Sequence, residues 1–158
     1  MGRTHLVQAG QGAAASAAAP KAWTGSVILL DTHTAYWLNH APEKLSAAAS
    51  RAIRREAAAT GLGLSSISLW ELAMLIESGR LRLRGVGTHG FLERLIQTPG
   101  VMVLEITAEI AALAAQLPSD LPRDPGDGLI AATALVHDIP IVTKDRAMQE
   151  SAHLRTIW

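Results

Sequence analysis

Five carboxylates fall where they could share one piece of chemistry. Asp31 directly follows the apolar run Val27-Ile28-Leu29-Leu30, and Asp145 follows Ile141-Val142-Thr143-Lys144. Glu71 stands three residues after Ser68, early in an amphipathic stretch, while Asp124 and Asp127 flank Pro125-Gly126 ahead of an alanine-rich segment. Carboxylates packed together repel, so a cluster of them either takes up protons or binds cations. Donors that are all oxygen suit magnesium or manganese rather than zinc. The chain has no cysteine, which excludes thiolate metal sites and a thiol nucleophile. Phosphoryl or phosphodiester hydrolysis, with a metal-activated water, is the chemistry such a cluster would serve. No G-x-S-x-G stretch occurs, so a serine triad finds no support.

The elements that must position these residues follow from apolar patterning. Short apolar runs at residues 27–30, 62–66, 101–104 and 139–143 read as buried strands, with a last short strand within residues 154–158. Helical patterns lie between them, at residues 32–39, 44–60, 68–78, 91–97, 107–117 and 126–137. Gly61 and Gly79 stand where helix C-termini need them. Residues 80–90 read as a basic, glycine-spotted loop. Alternation of strand and helix predicts an α/β domain with a mostly parallel central sheet. In such sheets ligands bind beyond the carboxyl ends of the strands. Asp31 and Asp145 sit at those ends, and Glu71, Asp124 and Asp127 sit at the starts of helices that follow them.

Each acid also has a purely structural reading. Ser68-x-x-Glu71 has the form of a capping box. Asp124-Pro125 reads as an N-cap followed by proline at the first helical position, with Asp127 in the first turn, where the helix dipole favours negative charge. Asp31 could cap the helix after it, and Asp145 could serve a turn. Their joint placement at one sheet edge is what caps alone do not require.

Composition bounds the partners. The 158 residues carry 14 basic and 14 acidic side chains, which argues against holding polyanions by bulk charge. After Thr24 the balance is 14 acids against 12 bases; with the five candidate ligands set aside it becomes 9 against 12. A neutral sum therefore conceals an acidic pocket on a mildly basic body. Aromatics make up only 4%, which argues against modules that read bases by stacking. No run reaches the roughly 18 apolar residues of a membrane span. Residues 1–24 are alanine- and glycine-rich, and Ala17-Ala18-Ala19 lacks the apolar stretch a secretory signal would place before it. They read as a flexible extension ahead of a domain over residues 25–158, with the cytoplasm as the expected location.

At this point the motifs resemble a known family. Leu30-Asp31-Thr32-His33-Thr34, with Trp37-Leu38 behind it, looks like the opening of a PIN domain. Ser65-Ser66-Ile67-Ser68-Leu69-Trp70-Glu71-Leu72-Ala73 looks like its second acidic motif, and Arg123-Asp124-Pro125-Gly126-Asp127-Gly128-Leu129 with the following Ile130-Ala131-Ala132-Thr133-Ala134 resembles its third. Ile141-Val142-Thr143-Lys144-Asp145-Arg146 resembles the fourth, and Arg155-Thr156-Ile157-Trp158 is similar to the end of many bacterial members. The resemblance implies a three-layer α/β/α fold and a Mg²⁺- or Mn²⁺-dependent ribonuclease of the VapC toxin type. It also implies restraint by a small antitoxin and a homodimer. By this resemblance Asp31, Glu71 and Asp127 match the core acidic residues, Asp145 the more variable fourth, and Asp124 an additional acidic position. Ser68 and Thr143 match supporting hydroxyls. Close relatives usually carry arginine where Gly128 stands, a change expected to weaken substrate contact while leaving the metal ligands intact.

Two rival readings belong to other classes. A haloacid-dehalogenase-like magnesium phosphatase needs a second aspartate two residues after the first, where this chain has His33. A catalytically weakened metal- or RNA-binding module would explain Gly128, but not the retained acids. Arg51, Arg54 and Arg55, and then Arg80, Arg82 and Arg84, read as solvated surface or as a rim that tracks phosphates. The six histidines lack ligand spacing, and His33 is expected to pack or hydrogen-bond. Trp37 and Trp70 are expected in the core. Gly10-x-Gly12 and Gly61-x-Gly63 lack the context of a dinucleotide site.

Overall fold

The computed structural model describes residues 27–158; the extension expected over residues 1–24 lies outside the described residues, as do Gly10-x-Gly12 and Ala17-Ala18-Ala19. The strands are β1 (Ile28–Leu30), β2 (Leu62–Ser65), β3 (Val101–Leu104), β4 (Ile141–Val142) and β5 (Thr156–Ile157). The helices are α1 (Thr32–His40), α2 (Ala47–Ala59), α3 (Ser66–Glu77), α4 (Thr88–Ile96), α5 (Ala108–Ala114), α6 (Pro125–His137) and α7 (Arg146–Glu150). The sheet runs β3-β2-β1-β4-β5, and every pair in it is parallel.

This order has a direct consequence for the site. The chain lays down β1, β2 and β3 in one direction, then returns to place β4 on the other side of β1. The switch point therefore lies between β1 and β4, and a crevice opens beyond their carboxyl ends.

Alternation along β1 explains why it is central. Ile28 and Leu30 join one apolar cluster with Tyr36, Ile53, Leu72 and Phe91, on the side of α1 to α4. Val27 and Leu29 join the opposite cluster with Ile130, Ile141 and Met148, on the side of α6 and α7. Side chains at successive strand positions point to opposite faces, so a strand covered twice must be apolar throughout. Leu29 and Leu30 are fully buried; each such side chain stabilises by about 1.5–3 kcal/mol. That anchoring fixes the position of Asp31, the next residue. The layers are α/β/α, as expected.

Several element ends differ from the sequence reading. Residues 42–44 form a separate 3₁₀ turn, and α2 begins only after Ser46, whose hydroxyl accepts from Ala49 N at 3.0 Å. The helix read at residues 91–97 starts at Thr88. The strand read at residues 139–143 contracts to Ile141–Val142. Helix α7 went unread, because five residues are too few to show a period. Gly61 (φ +106°) and Gly79 (φ +75°) hold the left-handed conformations expected after α2 and α3. Trp70 is a correction: it is 60% exposed. Leu72 is fully buried and Leu69 and Ile76 pack partly buried on the same core cluster, which leaves Trp70 and Met74 on the opposite side of α3.

Candidate metal centre

Four chain segments meet at the switch point. Asp31 ends β1 and caps α1, accepting from Thr32 N at 2.6 Å through Oδ1. Its Oδ2 accepts from the Thr143 hydroxyl at 2.8 Å. Thr143 closes β4, and its Oγ1 also accepts from Asp145 N at 2.9 Å. One threonine thus locks the end of β4 to the end of β1. Asp145 caps α7, accepting from Met148 N at 2.9 Å through Oδ1.

Glu71 is not in the first turn of its helix, and the capping box does not form. α3 begins at Ser66, two residues earlier than read, with Ser65 at the N-cap making no side-chain cap bond. Ser68 and Glu71, three residues apart, instead share one helix face turned toward Thr32. Thr32 Oγ1 donates to Glu71 Oε2 at 2.5 Å and lies 3.0 Å from Ser68 Oγ. The carboxylate is the stronger acceptor for the single threonine proton. Ser68 therefore supports Glu71 through Thr32.

Asp124 caps α6 with Pro125 at the first helical position, as read. Its Oδ1 accepts from Gly126 N at 2.9 Å and from Asp127 N at 3.4 Å. Capping leaves Asp124 facing the same side as Asp127 and Glu71: one carboxylate oxygen from each lies within 4.8 Å of the others.

Electrostatics registers the whole convergence. Burial pushes the Asp127 carboxyl up to about 7, and repulsion from Asp31, Glu71, Asp124 and Asp145 adds to it. Asp31 is also raised, chiefly by burial, with the Thr143 hydrogen bond opposing. Burial raises Glu71 as well, against the Thr32 hydrogen bond, with Asp31 and Asp124 repelling it. A divalent cation would relieve this repulsion, so the donor set fits magnesium or manganese by chemistry, and Glu71, Asp124 and Asp127 fit by spacing as well.

The pocket over Glu71, Asp124 and Asp127 has a volume of about 250 Å³; Asp31 and Asp145 do not line it. Thr32, His33, Asp124 and Asp127 line one part of it. α3 supplies the rest through Glu71, Trp70, Met74 and Leu75. His33 is exposed there, 5.7 Å from Trp37 ring to ring. Gly128 does not line this pocket; it faces a neighbouring cavity of about 580 Å³ beside Leu117 and Arg123. A β-carbon on Gly128 would stand 3.6 Å from Leu117 Cδ1, which lines that cavity.

The sequence reading missed Gly126. A β-carbon on it would lie 2.0 Å from Glu71 Oε1, so any side chain at 126 would push the Glu71 carboxylate out of this position. The signal was present as a glycine at the second position of an acid-flanked helix start. Thr32 was missed too, since a hydroxyl after Asp31 reads as an ordinary helix residue.

Fold and site together define a parallel α/β protein with a carboxylate pocket at its switch point. The chain belongs to the PIN domain family: the family model described as "PIN domain" matches residues 28–154. It is 42% identical to Ribonuclease VapC22 of Mycobacterium tuberculosis over 135 residues, covering 84% of this chain and 99% of that one. Among solved structures it is similar to FitAcB from Neisseria gonorrhoeae, at 26% identity and TM-score 0.55, covering 82% of this chain and 95% of that one. VapBC2 from Rickettsia felis, bound to a DNA fragment from their promoter, shares the fold at 18% identity and TM-score 0.61, covering 82% and 96%.

Proposed function

We propose that this chain is a VapC-type ribonuclease toxin that hydrolyses RNA phosphodiester bonds with Mg²⁺ or Mn²⁺ and is neutralised by a cognate antitoxin. The observation that carries the reading is the convergence of Glu71, Asp124 and Asp127, whose carboxylate oxygens lie within 4.8 Å of one another and whose crowding with Asp31 and Asp145 helps raise the Asp127 carboxyl to about 7. Such a cluster is costly unless a cation occupies it. Identity to a ribonuclease over nearly its whole length supports the activity. The similar VapBC2 and FitAcB structures support a partner protein.

Asp31, Glu71 and Asp127 would hold the metal, with Asp145 and Asp124 completing the set. When bound, divalent ions supply charge stabilisation and water activation for in-line displacement. The chain's own part is positioning. Thr143 fixes Asp31 Oδ2, and Thr32 fixes Glu71 Oε2. No side-chain nucleophile is needed. The exposed Arg80, Arg82 and Arg84 offer a rim for flanking phosphates. Among the described residues no helix is long and apolar enough to cross a membrane. A homodimer, a cytoplasmic location and a globular domain beginning near residue 25 complete the proposal.

Purified protein should cleave total cellular RNA with Mg²⁺ or Mn²⁺, and EDTA or Asp31→Asn should abolish cleavage. Cleavage that survives either treatment contradicts the metal mechanism. Heterologous expression should arrest growth, and Asp127→Asn should relieve the arrest.

A further inference from the structure

The exposed indole of Trp70 stands beside the carboxylates without a structural reason to be there. It is 60% exposed, and Met74, one turn further along α3, is 53% exposed. The packing of α3 on the core runs through Leu69, Leu72 and Ile76 and does not use them. The whole chain has only six phenylalanine, tryptophan and tyrosine residues, yet one of the largest lies open to solvent in the pocket that holds Glu71 and Asp127.

We propose that Trp70 is the stacking platform for a nucleobase next to the scissile phosphate, with Met74 extending its apolar surface. The proposal rests on the ribonuclease reading above and names how that site grips its substrate. One small pocket presents a cation-binding carboxylate cluster and a flat aromatic face on adjacent residues, Glu71 and Trp70. The ligand that matches both is a nucleotide, whose phosphate meets the metal side and whose base has a π-face. At about 250 Å³ the pocket falls below the range of about 300–1,000 Å³ usual for small-molecule sites, so it suits one base rather than a larger group. The other flank is cationic: beyond His33, the ammonium groups of Lys44 and Lys144 lie 5.9 Å and 6.0 Å from the Trp37 ring. A strand with its base on α3 would run its neighbouring phosphates past that flank. Stacking tolerates any base, so Trp70 sets affinity and placement, not base identity. The scarcity of aromatics thus excludes a stacking array but leaves room for a single platform.

The probe is a short oligoadenylate, compared with an abasic ribose-phosphate strand of equal length, in a calcium buffer with affinity read by anisotropy. Trp70→Leu should weaken oligoadenylate binding about 5- to 150-fold. Trp70→Phe should stay within a few-fold of wild type, and the abasic strand should be indifferent to both changes. In cleavage of total RNA with Mn²⁺, Trp70→Leu should raise KM far more than it lowers kcat. Calorimetric Mn²⁺ titration of Trp70→Leu should match wild type, which shows the fold and the carboxylates intact. Unchanged oligoadenylate affinity, or equal losses on the abasic strand, overturns the proposal. Unchanged RNA affinity with weakened binding of the antitoxin would mark Trp70 as a protein-docking residue instead. If wild type cleaves no RNA with Mn²⁺, the ribonuclease reading itself falls.

Discussion

Replacing Asp127 with asparagine should make the metal-free protein more stable while removing its activity. The Asp127 carboxyl moves from an ordinary value of 3.8 to about 7 in the folded chain, first through burial and then through four acidic neighbours. Among the described residues nothing hydrogen-bonds to its carboxylate, and the causes of the shift are burial and repulsion, so an amide loses no partner there. A carboxyl raised on folding binds its proton more tightly in the folded state. Stability is then highest below about pH 4, falls as pH rises toward 7, and stays low above. The full shift corresponds to about 4 kcal/mol. Because the residue is partly exposed, solvent screening reduces this to roughly 2 kcal/mol. For a domain of this size that is about 4–8 °C in Tm. The assay is thermal unfolding of wild type and Asp127→Asn in EDTA from pH 4 to pH 8. The difference between them should be near zero at pH 4 and reach its plateau above pH 7. Saturating Mn²⁺ should reverse the ranking, since metal at a hundred times its Kd stabilises wild type by about 3 kcal/mol and the variant by far less. A variant less stable than wild type at pH 8 in EDTA, or a difference that ignores pH, refutes the reasoning.

Gly126→Ala should displace the Glu71 carboxylate, because the new methyl would stand 2.0 Å from Oε1. Mn²⁺ affinity measured by calorimetry should fall about 10- to 100-fold, with unfolding changed by only about 1 kcal/mol. Thr143→Val should lose the hydrogen bond to Asp31 Oδ2 and leave Asp145 N without its acceptor. Cleavage should drop about 10- to 100-fold, and Thr143→Ser should restore most of it. Metal affinity should weaken about tenfold per pH unit below about 7, as Mn²⁺ competes with the Asp127 proton; a flat Mn²⁺ affinity from pH 5.5 to 7 would contradict that competition.

Much of the site was legible because its residues carry local signals. Asp31 and Asp145 follow apolar runs, and Asp124-Pro125 has the form of a helix start. What stayed hidden depends on distance in space rather than in sequence. The capping-box reading of Ser68 and Glu71 failed because α3 starts two residues earlier, at Ser66, which puts Ser68 inside the helix. Both side chains could then meet Thr32, 36 and 39 residues away. The role of Gly126 comes from the Glu71 side chain of α3 reaching α6 and from no local turn. Trp70 was misread as core because α3 is apolar nearly all round, so hydropathy alone could not tell its buried stripe from its open one. The parallel sheet followed from element alternation; the short β4 and α7 carried too few residues to show their bounds.

The central claim is that Asp31, Glu71 and Asp127 hold the divalent ion on which RNA cleavage depends. Anomalous diffraction from crystals grown at a Mn²⁺ concentration that gives full cleavage tests it most directly. The account predicts a manganese peak about 2.0–2.2 Å from carboxylate oxygens of these three residues, absent in Asp31→Asn crystals along with the activity. A peak elsewhere, or no peak at this site while the same preparation cleaves RNA, would contradict it.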